Sequence, residues 1–277
     1  MDYLEHKTYE LTCISPVHIG SGETLKKYEY LYDNNKHIVY FPDKTKLISL
    51  LQKHNLFEEY LEYVNNSEQL TRMNGFFWLN EVHKISEREI IATASRKAIA
   101  PKNIAVSKGG RNTKGNINDI VTAISLAGGG LYIPGSSIKG TLRTGIIYHL
   151  LGKKPDFADY LEGQIEKLLM DSSNRRDIEK ETNSLDREIE KKLLSVLKFD
   201  TEKNNASIKS AMRGLIVSDA VPVGKMDSVI VQKLDGMLDK DGRGVVTKPL
   251  PIVRECIPAD SKLTVQISFD KRMMAEI

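Results

Sequence analysis

Near one end of the sequence Leu263, Val265, Ile267 and Phe269 alternate with polar residues, and near the other Tyr9-Glu10-Leu11-Thr12-Cys13-Ile14 does the same. A period of two places the apolar set on one face of a strand, so half-buried strands open and close the chain. Between them the spacing is often helical. Asp43 to Val64 carries Leu47, Leu50, Leu51, Leu61 and Val64 and is interrupted at His54-Asn55, which predicts two short helices. In 157–197, Leu185, Ile189, Leu193 and Leu197 recur every fourth position on an otherwise charged segment, an amphipathic insertion. Strands at both ends with helices between them predict an α+β protein built on an antiparallel sheet, with a ferredoxin-like β-α-β-β-α-β order carrying insertions.

Shorter signals fill the gaps. Tyr28–Tyr32 and His37–Phe41 flank Asp33-Asn34-Asn35-Lys36, a turn-forming tetrad between two β-prone runs, and predict a hairpin. Order signals fade between Thr93 and Asn118. There Lys108-Gly109-Gly110-Arg111-Asn112-Thr113-Lys114-Gly115 is basic and nearly free of large apolar groups, which predicts a mobile loop that orders on a ligand, with Lys108 and Arg111 as its contacts. Leu131-Tyr132-Ile133, Leu215-Ile216-Val217 and Val229-Ile230-Val231 read as strands. With 277 residues, 40% of them hydrophobic, the chain can bury one sizeable core or two small ones. Cys13 and Cys256 sit in apolar stretches without a second ligand at metal spacing, so reduced thiols are expected, and neither a structural zinc nor a cofactor is. The absence of an apolar run of spanning length, and the charges in Met1–Lys7, predict a cytoplasmic protein with no membrane association.

A net charge of +3 conceals strong blocks. Residues 1–83 are net −4, 84–154 net +9, 155–202 net −5, and 203–254 hold nine basic against five acidic side chains. Basic blocks separated by acidic ones predict a focused positive surface for a polyanion. The plain alternative is a solvated loop that happens to carry lysines.

Three constellations carry chemistry. In Tyr132-Ile133-Pro134-Gly135-Ser136-Ser137-Ile138-Lys139-Gly140-Thr141-Leu142-Arg143 a strand passes through a Pro-Gly turn into a helix expected to begin near Ser137, capped by Ser136 or Ser137, with Ile138, Leu142, Ile146 and Leu150 as its inner stripe. Open amides, two hydroxyls, and Lys139 and Arg143 one turn apart would form a phosphate site. An ordinary capped helix with two exposed cations is the alternative. A nucleotide-triphosphate loop is excluded, because no Gly-Lys-Ser/Thr closes the glycines. The second constellation is Pro16-Val17-His18-Ile19-Gly20-Ser21-Gly22 with Lys26-Lys27. Gly20 and Gly22 would let a ribose-phosphate chain approach closely, and His18 reads either as a hydrogen-bonded structural residue or as a general base. In the third, Thr247 to Cys256, Pro249 and Pro251 impose an extended course that puts Lys248 and Arg254 at an edge strand or a groove.

Taken together, Ser15–Gly22, Tyr132–Gly140, Val217-Ser218-Asp219-Ala220 and Lys248-Pro249-Leu250-Pro251-Ile252-Val253-Arg254-Glu255-Cys256, in this order, resemble the RAMP superfamily of CRISPR proteins. Within it they look like the fifth-subunit family of the type III-A (Csm) effector complex. The resemblance implies a ferredoxin-like RAMP fold and a non-catalytic CRISPR-RNA-binding subunit at the 3′ portion of the guide, needed for assembly and 3′-end maturation in antiviral defence. It implies three kinds of partner besides the guide: the repeating RAMP backbone subunit, the small helical subunit, and host exoribonucleases that trim the guide. Residues 1–220 would form an N-terminal domain with insertions at about 43–128 and 155–210. Residues 221–277 would begin a second unit that is incomplete, since family members continue beyond the strand Lys262–Asp270. The rival reading is a metal-independent endoribonuclease that processes precursor RNA, with His18 as base and Lys139 or Arg143 stabilising charge. A protein-interaction scaffold whose basic blocks face acidic partners is the third.

Overall fold

The computed structural model describes residues 3–104, 117–127, 129–171, 175–197, 209–238, 241, 244–275 and 277. The strands are β1 (Leu4–Thr12), β2 (Gly20–Leu25), β3 (Leu31–Asp33), β4 (Ile38–Pro42), β5 (Ala94–Ile99), β6 (Ile120–Ala123), β7 (Leu215–Val217), β8 (Val221–Pro222), β9 (Ser228–Leu238), β10 (Val245–Cys256) and β11 (Lys262–Asp270). The helices are α1 (Lys44–Lys53), α2 (Phe57–Asn65), α3 (Ser67–Arg72), α4 (Gly75–Phe77), α5 (Glu87–Ala92), α6 (Gly135–Gly152), α7 (Pro155–Asp171), α8 (Arg175–Leu193) and α9 (Lys271–Met274). The architecture is the expected α+β mixture. Among the described residues no helix is long and apolar enough to cross a membrane.

Two compact units share the chain. The first holds residues 1–10, 133–220 and 264–277; the second holds 11–132 and 221–263. Packing groups 221–263 with 11–132.

In the first unit β1, β11 and β7 lie side by side in that order, and β7 runs antiparallel to β11 with Ile267 opposite Val217. The alternation in β11 does what the sequence demands: Val265 and Ile267 are buried. Phe157, Leu161, Leu193, Leu194 and Leu197 bury the apolar face of α7, α8 and the turn after it, while Lys192 Nζ lies 4.2 Å over the Phe157 ring.

The second unit is built on a seven-stranded sheet, β2-β6-β10-β9-β5-β4-β3. The β3–β4 hairpin forms because Asp33 Oδ1 accepts from Asn35 N (2.9 Å) and Lys36 N (3.0 Å), with His37 at φ +55°. The Asp43 carboxylate caps α1 by accepting from Lys46 N at 3.0 Å, and Asn55 at φ +57° separates α1 from α2 as expected. Leu47, Leu50, Leu51, Tyr60 and Tyr63 pack with Trp78, Leu79 and Ile90 in one apolar cluster; Tyr30, Val39, Ala98, Ile120, Ile230 and Val253 form another.

The expectation of fading order after Thr93 needs correction, because 94–99 is β5, paired antiparallel to β4 and parallel to β9. Its basic character is tolerated inside a sheet because Arg96 meets an acid from β10: Nε donates to Glu255 Oε1 at 3.0 Å and Nη2 to Oε2 at 3.1 Å. Glu255 is fully buried and is further satisfied by Ser228 Oγ (2.9 Å) and Ala123 N (3.2 Å). Lys108 and Arg111 lie outside the described residues.

Candidate RNA interface

In the first unit, Ile133 is bridged to Ala220 by two backbone hydrogen bonds, and Pro134 then turns the chain into α6. The helix begins at Gly135, two residues before the expected start, and neither Ser136 nor Ser137 caps it. The reason lies in β7 and the loop after it. Asp219 Oδ1 accepts from Gly135 N at 2.8 Å, so a carboxylate of the same chain occupies the first amide. A Cβ on Gly135 would stand 2.3 Å from the Val217 carbonyl oxygen and 2.7 Å from that of Ser218, so glycine alone fits. Ser137 N and Ile138 N both donate to Pro134 O. The phosphate site anticipated on open amides is therefore partly filled from within, while Ser136 stays exposed.

Both cations of α6 also have partners in the chain. Lys139 Nζ donates to the Leu215 carbonyl at 2.6 Å, and partial burial pushes its ammonium below the ordinary lysine range. Arg143 pairs through Nη1 with Glu190 of α8, and its Nε is sealed from solvent without an acceptor. Ile138, Leu142 and Ile146 are half-buried and Leu150 is buried, as their spacing requires.

In the second unit Val17 bridges Ile257, which seats His18 beside β10. His18 Nδ1 lies 2.7 Å from the Glu255 carbonyl oxygen. A carbonyl can only accept, so Nδ1 carries the proton and the ring is held as a structural group, leaving Nε2 with the lone pair. Gly22 has φ +87° at the register shift in β2, with nothing within 4 Å of a would-be Cβ. Ser21 Oγ is shared between Thr122 Oγ1 (2.6 Å) and Glu23 N (3.1 Å), and Lys26 pairs with Asp119 at 2.8 Å.

Arg254 joins this edge through the sheet. Thr24 pairs with Val121, Val121 with Arg254, and Arg254 with Val231, so one row crosses β2, β6, β10 and β9 on a single face. Arg254 is exposed there, about 10 Å from the β2 backbone at two strand spacings. Of the expected edge or groove position only the Arg254 end is corrected: Val253 and Arg254 pair with strands on both sides, whereas the stretch through Lys248 pairs with β9, and the register shifts between Pro249 and Val253, where missing proline donors are tolerated. Lys248 lies farther along β10, opposite Asp235.

The structure thus gathers Gly20, Ser21, Gly22, Lys26, Lys27 and Arg254 in one unit and Gly135 to Arg143 in the other. Sequence reasoning missed Glu255, although an acid at the inward parity of an apolar strand was a signal, and it missed Arg187, Lys191 and Arg213 beside Arg143. Cys13 and Cys256 are buried and unpaired, and burial pushes the Cys256 thiol up to about 11. Among the described residues no group of three or more His, Cys, Asp and Glu could hold a metal ion.

The model of the RAMP superfamily matches residues 10–275. This chain belongs to the RAMP superfamily. It is 25% identical over 275 residues to the CRISPR system protein Csm5 of Enterococcus italicus, covering 95% of this chain and 61% of that protein. Csm5 of Streptococcus thermophilus is likewise 25% identical, over 95% of this chain and 64% of the relative. This RAMP protein therefore spans less than two thirds of the length of these two relatives. In fold it is similar to the crystal structure of T. onnurineus Csm5, with a TM-score of 0.60, 21% identity and coverage of 96% of this chain and 69% of the other. A chain of a Csm-crRNA-target RNA ternary complex matches with a TM-score of 0.54, 20% identity and coverage of 96% and 64%.

Proposed function

We propose that this RAMP protein is a non-catalytic subunit of a type III-A (Csm) CRISPR effector complex that binds the 3′ portion of the guide RNA and supports assembly and 3′-end maturation. The observation that carries the reading is the extent of the likeness: it runs over 95% of the chain to proteins called Csm5, not over one module. Two glycine-containing corners with nearby cations support a grip on the sugar-phosphate backbone, which carries no sequence information and so suits a complex that accepts any spacer. The contacts assigned are His18, Gly20, Ser21, Gly22, Lys26, Lys27, Lys108, Arg111, Gly135, Ser136, Ser137, Lys139, Arg143, Lys248 and Arg254. The repeating backbone subunit, the small helical subunit and trimming exoribonucleases are the partners on this reading, and the division into ferredoxin-like units at 1–220 and 221–277 belongs to the same proposal. Deleting the chain from the complex and sequencing the co-purified RNA tests it. Guides should lose their trimmed 3′ ends or fail to co-purify, and an unchanged RNA profile would overturn the assignment.

One observation favours the endoribonuclease reading: the His18 tautomer leaves Nε2 free to accept a proton. Incubation of precursor RNA with the wild type and His18→Ala separates the two. No cleavage by either protein is expected, and His18-dependent cleavage would replace the binding assignment.

A further inference from the structure

Within the first unit, α6, α8 and the 3-10 turn Ala211–Gly214 enclose a pocket of ≈ 490 Å³ lined by five cationic side chains and one carboxylate. The cations are Lys139 and Arg143 from α6, Arg187 and Lys191 from α8, and Arg213 from the turn; the acid is Glu190. Surrounding sequence makes this unexpected, since residues 155–202 are net −5. Helical spacing explains it: 187, 190 and 191 fall on one face, so α8 turns two of its six cations and one of its six acids toward α6.

Like charges gathered around one cavity repel, and the one lining carboxylate, paired with Arg143, does not offset Lys139, Arg187 and Lys191. Glu190 is already committed to Arg143 Nη1, yet the same guanidinium keeps Nε sealed from solvent with no acceptor. Guanidinium groups bind phosphate through two parallel N–H donors, and with Nε sealed the edge a phosphate would take is the one whose Nη1 is given to Glu190. Lys139 spends one of its three donors on Leu215 O. Buried Leu194 and Met212 contribute apolar wall, which weakens local screening of charge.

We propose that this pocket seats a backbone phosphate of bound RNA, and that Glu190 competes with that phosphate for Arg143 and so sets the affinity. The proposal rests on the reading of this chain as an RNA-binding subunit and deepens it. It moves the phosphate contact from the amides of α6, where Asp219 already sits, to the α6–α8 side-chain cluster. Glu190 makes binding reversible, since release of the phosphate restores an ion pair rather than leaving Arg143 unpaired.

Fluorescence anisotropy of a labelled mixed-sequence single-stranded RNA against the purified chain, across a salt series, tests both levels. Glu190→Gln is nearly isosteric and removes the competitor, so affinity should rise about threefold, as removal of a half-exposed ion pair allows; misfolding cannot produce a gain. Arg187→Ala with Lys191→Ala should weaken binding and reduce the slope of log K against log salt by about 0.7 for each phosphate no longer neutralised. If the wild type binds RNA but neither variant changes affinity or slope, the pocket assignment is overturned while the RNA-subunit reading stands. If the wild type binds no RNA at low salt, both fall. If RNA affinity is untouched while the double variant no longer co-purifies with the effector complex, the pocket faces an acidic protein surface and the proposal is likewise overturned.

Discussion

Two corners of this molecule look alike in sequence, each with glycines and serines just after a strand and two basic residues downstream, yet their glycines answer to different constraints. Gly135 is required by space, with the Val217 carbonyl oxygen 2.3 Å from where a Cβ would be. Gly22 is required by torsion, at φ +87° with open space around it. The first corner is locked to its own chain through Asp219, Leu215 and Glu190. The second presents an open backbone beside an exposed arginine. A glycine loop is thus no single signal: one marks close packing of chain on chain, and the other leaves room for something else.

The largest expected effect tests what anchors the open corner. Glu255→Ala strips Arg96 of its buried partner, and loss of one member of such a pair costs about 3–5 kcal/mol. Urea unfolding should show that loss, and a change under about 1 kcal/mol would mean that the ion pair does not organise the β10 side of the sheet. Next come the glycines. Gly135→Ala forces backbone apart and should cost about 3 kcal/mol or a failure to fold, because overpacking against carbonyls has no rotamer to relieve it. Gly22→Ala should cost about 1 kcal/mol, the strain of a left-handed backbone. Equal losses would erase the contrast. The smallest effect on stability, and the one that reads function, comes from the open edge: Lys26→Ala with Arg254→Ala should leave the melting temperature within a few degrees. It should also lower the salt slope of RNA binding by about 0.7 for each phosphate the edge gives up. An unchanged slope would leave the RNA contacts to the first unit.

What the sequence made legible was local. Asp33, Asp43 and Asn55 act on backbone within three residues, so the hairpin and the break between α1 and α2 could be read directly. What stayed hidden depends on distant partners. β5 reads as unstructured until Arg96 is joined to Glu255, 159 residues away. The start of α6 was placed at the serines because they are good caps, whereas the determinants are Asp219 and the β7 backbone. Arg143 reads as a surface cation until α8 brings Glu190, Arg187 and Lys191 to it.

The position of β11 between β1 and β7 has a consequence for biosynthesis. A chain leaving the ribosome can complete the seven-stranded sheet once β10 has emerged, but in the other unit β1 and β7 are made before β11, the strand that lies between them. Segments 1–10 and 133–220 therefore precede their shared neighbour in synthesis, and any nonsense codon ahead of Lys262 would remove the strand that joins them.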